Sequence, residues 1–301
     1  MKKLLALLLC LILLPAAAIG EADSQIVTSF YPIYLFTLNL LDGIEGVTVT
    51  SLTDTGAGCL HDYQLQAGDM RALAHADAFL INGAGMEGFL EDVRSAIPHL
   101  PVVDASAGVA LLEDCSDHGH DHDHDHAHAY NAHIWLDPEN AMLMVNNLAD
   151  GLILALPTHA EKIAANRDAY IARLAALDAE LTESLSALPH RDVITFHEAF
   201  PYFAKAYGLN VAAVINRDPD DALSPRQLAE LCKTVQALGA PPLFVEPQYE
   251  DMAAQTIARE TGAAIYMLDP IVTGPEQDIP LTRYEDVMRQ NLAVLLEALS
   301  D

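Results

Sequence analysis

The sequence predicts an α/β protein of two lobes, each a parallel sheet with crossover helices, joined by one long rigid backbone helix. Two observations carry this reading. Eight short runs rich in β-branched residues alternate with stretches of helical periodicity, four in each half of the 301-residue chain. That alternation is the mark of parallel strands linked by helices. Between the halves lies a stretch with apolar residues at helical spacing and no Gly or Pro in its interior, which reads as a single amphipathic helix.

Residues 1–22 read as a signal peptide. Lys2 and Lys3 precede an apolar run from Leu4 to Ile19, and the small residues Ala16 to Ala18 follow Pro15. The run falls short of the roughly 20 apolar residues that a membrane span needs. Leu9 stands before Cys10, where lipid attachment requires a small residue, so the mature chain is expected to be exported and soluble. The N-terminal lobe, 23–154, carries the strand runs IVTSF (26–30), VTVTSL (47–52), AFLING (78–83) and PVVDA (101–105). A linking helix follows over 155–189, with Ile163, Tyr170, Leu174, Leu177, Leu181, Leu185 and Leu188 on one face. Its helical stretch, from about Pro157 to Leu188, is roughly 30 residues and about 45 Å at ~1.5 Å per residue, and acts as a stiff strut. The C-terminal lobe, 190–301, repeats the rhythm with VITF (193–196), VAAVI (211–215), LFVE (243–246) and AIYML (264–268). Ser224 with Pro225 and Gln227, and Thr282 with Glu285, read as capping boxes that start two of its helices.

The formal charge of −28 becomes more negative when Lys2 and Lys3 leave with the signal. Nucleic acid and anionic membrane surfaces are poor partners for such a chain, whereas cations are drawn to it. Export leaves Cys59, Cys115 and Cys232, an odd number, so at least one is unpaired; the spacing permits a Cys59–Cys115 bridge without requiring it.

From 117 to 128 acid and imidazole alternate, with His118, His120, His122, His124, His126 and His128. This reads as an accessory loop that captures Zn²⁺ or similar ions loosely. Outside it, position singles out four residues. His197 directly follows the strand VITF and Asp269 follows AIYML, both at carboxyl ends of parallel strands, where open α/β sheets form their ligand crevices. His61 sits in the loop after VTVTSL. His133 lies in NAHIWLDP (131–138), before a helix that Asp137 and Pro138 can start. Two His from one lobe with a His and an Asp from the other make a four-ligand set suited to Zn²⁺ and tolerant of Mn²⁺. His75, His99, His159 and His190 have no comparable placement.

At these residues the chain resembles the metal-binding cluster of substrate-binding proteins that serve zinc and manganese ABC transporters. The likeness runs through SFYPIY (29–34), HDY (61–63), INGAGME (81–87), NAHIWLDP (131–138), FHEAFPYFAKAYGL (196–209), FVEPQY (244–249) and ETGAAIYMLDP (260–270). It implies one metal ion held between the lobes by His61, His133, His197 and Asp269, and delivery to a membrane permease by a monomeric binding protein. Leu60 departs from the Pro of many relatives, and Cys59 stands two residues from His61, so a thiolate is a conceivable extra ligand. The His-rich loop and His197, where manganese members often carry Glu, favour zinc over manganese. A zinc hydrolase is the rival from another class. It needs an open coordination position and a general base, yet no HExxH segment is present and Glu198 is the one evident candidate. An adhesive or metal-buffering surface protein is a third reading.

Overall fold

The computed structural model describes residues 23–54, 60, 63–113, 130–215, 223–248 and 252–300. The signal-peptide reading, His61, Cys59, Cys115 and the six histidines of the 117–128 loop lie outside the described residues.

All eight strand runs form strands. β1 (Ser24–Thr28), β2 (Val47–Ser51), β3 (Ala78–Ile81) and β4 (Val102–Asp104) make one parallel sheet in the order β2-β1-β3-β4. β5 (Asp192–Thr195), β6 (Asn210–Val214), β7 (Leu243–Val245) and β8 (Ile265–Met267) make a second in the order β6-β5-β7-β8. The connections are α1 (Tyr31–Leu40), α2 (Ala67–Ala74) and α3 (Leu90–Ala96) in the first lobe, and α6 (Pro201–Tyr207), α7 (Pro225–Ala237) and α8 (Met252–Thr261) in the second, with α4 (Pro138–Ala155), α5 (Ala160–Ser186) and α9 (Arg283–Leu299) between and around them. Both sheets share one topology. In each, the first and third strands lie side by side and the chain leaves them in opposite directions, which opens a crevice at their carboxyl ends. Every residue of β3 is buried, as a central parallel strand covered on both faces must be.

The linking helix is continuous as α5 and is led in by a 3₁₀ turn, Pro157–His159, with Pro157 at the start, where a missing N–H costs no helical bond. Ile163, Tyr170, Leu174, Leu177, Leu181 and Leu185 are buried along it. They join a main apolar cluster that runs from the first sheet through α5 to Phe203 of α6 and to Val287, Met288 and Leu295 of α9. A smaller cluster of Ile194, Ile215, Val235, Leu243, Ile257 and Ala263 lies on the other face of the second sheet, under α7 and α8. Asn166 of α5 donates to Leu40 O and Asp42 O, both at 2.9 Å, closing the carbonyls at the end of α1.

The capping box at Ser224 forms, with Gln227 reaching back to the Ser224 N–H at 2.9 Å. The one expected at Thr282 does not. Thr282 Oγ1 donates instead to Asp286 Oδ2 at 2.7 Å, since Glu285 is drawn into the core by Arg173 of α5. That guanidinium donates to Glu285 Oε1 at 2.8 Å, to Leu281 O at 3.2 Å and to Asn39 Oδ1 of α1, and it stacks on Tyr170 at 4.7 Å. One side chain thus ties α1, α5 and α9 together. Among the described residues no single helix is long and apolar enough to cross a membrane.

Removing that tie should be costly. Glu285 is 3% exposed and Arg173 39% exposed, so solvent screens part of the pair. The Arg173→Met variant should lose about 2 kcal/mol of unfolding free energy by leaving Glu285 buried and unpaired. Adding Glu285→Gln should recover part of it. Denaturant unfolding of the three proteins checks this, and a loss below about 0.5 kcal/mol in the single variant, the range of ordinary surface changes, would refute it.

Candidate metal centre

His197 is the second residue past β5, Glu246 the first past β7 and Asp269 the second past β8. All three therefore rise from the carboxyl edge of the second sheet. Across from them, the 131–137 segment of the first lobe brings His133 to the same edge. Asn131 shapes this segment as an Asx turn: its Oδ1 accepts the His133 N–H at 3.0 Å and lies 3.2 Å from His133 Nδ1. Asp137 then caps α4 by accepting the Glu139 N–H at 2.9 Å, with Pro138 at the helix start.

The two lobes are stitched together here by hydrogen bonds. Asn131 Nδ2 donates to Glu198 O at 2.7 Å, Tyr202 of α6 donates to Asn131 O at 2.8 Å, and the Leu112 N–H donates to the Tyr202 hydroxyl at 2.9 Å. Trp135 Nε1 donates to Pro270 O at 2.8 Å, and Tyr284 of α9 donates to Trp135 O at 2.6 Å. The outcome is a close pair of imidazoles, with the His133 and His197 ring centroids 4.8 Å apart and nearly perpendicular. Both are buried, 2% and 5% exposed. Trp135 flanks His133 at 5.2 Å between ring centroids.

One carboxylate lies against the pair, and a second stands on the same sheet edge. Glu246, 2% exposed, has its oxygens 3.3 and 3.4 Å from His197 Nδ1. Asp269 is fixed through its main chain to Asn291 of α9, by bonds of 2.9 and 2.8 Å. Its Oδ1 accepts the Ile271 N–H at 2.7 Å, and its Oδ2 lies 3.8 Å from Arg283 Nη2. Burial pushes the Asp269 carboxyl above its ordinary range, Glu246 adds to that, and the Ile271 N–H and Arg283 oppose it. Gly274 passes so close to the Tyr31 hydroxyl that a Cβ there would stand 2.1 Å from it, so only glycine lets this loop lie against α1.

On the first lobe, Glu87 accepts the Asn82 and Gly83 N–H groups at 2.7 and 3.0 Å, and Asn82 Nδ2 donates to Ala132 O at 3.0 Å. This braces the peptide before His133. Burial pushes the Glu87 carboxyl up to about 7 against those N–H donors. Its contribution to stability is thus greatest below the ordinary carboxylate range and is lost as pH rises through about 7.

Of the four residues singled out in sequence, His133 and His197 come together. Asp269 stands on the same edge, turned toward Ile271 and Arg283, and His61 lies outside the described residues. Among the described residues no three His, Cys, Asp or Glu side chains converge closely enough to hold a metal. Sequence reasoning passed over Glu246 and Asn131. Glu246 ends the run LFVE, so the strand-end rule that selected His197 applied to it as well; Asn131, two residues before His133, is an Asx-turn signal.

Residues 26–298 match the family described as zinc-uptake complex component A, periplasmic. The zinc-binding protein AdcA of Streptococcus pyogenes is 30% identical over 292 residues, which cover 92% of this chain and 56% of that protein. The chain thus spans little more than half the length of that relative. The high-affinity zinc uptake system protein ZnuA of Haemophilus ducreyi is 31% identical over 286 residues, covering 89% of this chain and 91% of that one. Among solved structures, the substrate-binding protein FpvC of Pseudomonas aeruginosa in complex with Mn²⁺ superposes with a TM-score of 0.79 at 28% identity, over 92% of this chain and 98% of that one. By its sequence and its two-lobed fold, this chain belongs to the ZnuA family, the periplasmic A component of zinc-uptake complexes.

Proposed function

We propose that the protein is an extracytoplasmic binding protein that captures one Zn²⁺ ion between its lobes and delivers it to the permease of an ABC transporter. The observation that carries this is the buried pair of imidazoles, His133 and His197, contributed by opposite lobes with ring centroids 4.8 Å apart. The ligand set is His61, His133, His197 and Asp269. The six histidines between 117 and 128 form a weaker, accessory class. Four protein ligands leave no position for an activated water, so the protein binds and releases its ion without chemistry on it. Its acidity draws cations in and keeps nucleic acid away, and it acts as a monomer. A manganese-preferring protein of the same type is the second reading, favoured by the Mn²⁺ complex of FpvC.

The single tryptophan of the chain is Trp135, and its contact with His133 makes it a reporter. Zinc added to the signal-free protein should change its emission and saturate at one equivalent. Deleting residues 117–128 should leave that response intact, and His133→Ala should remove it. A tight site that vanishes with the loop would overturn the separation of the two classes.

Imidazoles bind metal only when neutral, so affinity should fall as pH drops below about 6.5, the ordinary His value. Chelator competition between pH 7.5 and pH 5 measures this, and constant affinity across that range would contradict three imidazole ligands.

Metal choice follows from the donors. Zn²⁺ accepts a tetrahedron of imidazoles and one oxygen, while Mn²⁺ prefers more oxygen. Replacing His197 with Glu should shift preference toward manganese, and Asp269→Ala should weaken zinc without abolishing it. Competition at equal free concentrations is the test; a wild type that prefers Mn²⁺ rejects the zinc assignment.

A further inference from the structure

We propose that Glu246 is a positioning residue that sets the tautomer of His197, holding the proton on Nδ1 so that Nε2 carries the lone pair that takes the metal. This rests on the reading of His197 as a ligand.

The placement comes from the sheet itself. β5 and β7 pair in parallel, with Ile194 opposite Leu243 and Thr195 opposite Phe244, and the Phe196 N–H extends the ladder by donating to Phe244 O at 3.1 Å. Continuing that register by two residues sets Glu246 beside His197. The carboxylate is held from its other side, since Gln248 Nε2 donates to Glu246 Oε2 at 2.5 Å. Its second oxygen, Oε1, is fully buried and accepts no hydrogen bond, although His197 Nδ1 lies 3.3 Å away. A buried carboxylate oxygen without a donor is costly. The ring bonds the other oxygen of the same carboxylate, with His197 Nδ1 3.4 Å from Glu246 Oε2; an ionised carboxylate only accepts, so this bond forms when Nδ1 bears the proton. Nε2 is then the unprotonated atom, on the ring edge away from Glu246. A carboxylate behind a ligating imidazole also makes it a stronger donor.

Two readouts on the signal-free protein test this: zinc affinity by chelator competition, and the His197 ring tautomer in the metal-free protein by long-range ¹⁵N–¹H correlation. Wild type should show Nδ1–H. Glu246→Ala should weaken zinc about 10- to 100-fold and move His197 toward Nε2–H. Glu246→Met, close in size, gives the same readouts should the alanine variant not fold. Glu246→Gln keeps a carbonyl acceptor and should retain Nδ1–H with a loss below about tenfold. An unchanged tautomer in the Ala or Met variant overturns the proposal even if affinity drops, and so does unchanged affinity. His197→Ala separates the two readings. If it still binds zinc tightly, the ligand assignment fails and the positioning role with it; if it loses tight binding while Glu246→Ala does not, only the positioning role fails.

Discussion

Arg173 stands where three elements meet, and the relation between the lobes depends on it. It projects from the strut α5, reaches Asn39 at the end of α1 and Glu285 at the start of α9, and lies over Tyr170. Two sheets that share no strand can offer groups to one ion only if their separation is fixed. The apolar stripe of α5 supplies the area that holds helices from both lobes in one continuous core. Apolar packing alone is non-directional. The forked hydrogen bonds of Arg173 add the direction, setting the rotation of α9 about α5. Because α9 carries Asn291, which holds the Asp269 backbone, and Tyr284, which holds Trp135, that rotation reaches the candidate site directly.

The parts of this architecture that depend on neighbours in sequence were legible without coordinates. Each strand run is short, β-branched and bounded by turn residues, and each became a strand within one or two residues of its expected limits. The helix starts at Asp137 and Ser224 rest on side chains two or three positions from the backbone groups they satisfy, which sequence displays. Thr282 and Glu285 have the same spacing and fail, because a partner more than a hundred residues away competes for Glu285. No local pattern announces Arg173 as that partner. His133 and His197 could be chosen from position, one after a strand and one before a helix start. Their contact could not, since it depends on Asn131 and Tyr202 bonding across the lobes.

Glu246 shows how a rule can be right and incompletely applied. The carboxyl ends of parallel strands gave His197 and Asp269, and LFVE offered Glu246 at an equivalent place. In sequence Glu246, before Pro247, is only the last residue of the strand run LFVE. In the fold it is 2% exposed, and the pairing of β5 with β7 sets it against an imidazole. Burial is the quantity the sequence does not carry, and burial turns an ordinary carboxylate into one that must find a donor.

The same stitching bears on how the protein can choose among ions. Zn²⁺ imposes no geometry of its own, so a site gains selectivity from the donors it offers and from its refusal to rearrange for others. In the proposed site refusal would have a structural basis. The segment carrying His133 is bonded to Glu198 O and Tyr202 of the opposite lobe, and Trp135 ties it to Pro270, next to Asp269. Rearranging the second lobe's donors to give a larger coordination sphere would break bonds whose groups are buried at the lobe interface, each break leaving an unsatisfied group at a cost of about 1–3 kcal/mol. An ion content with few ligands requires none of this. Should the proposed site hold Zn²⁺, the lobe contacts that bring the two imidazoles within 4.8 Å would also hold it near the low coordination number that zinc accepts and manganese does not favour.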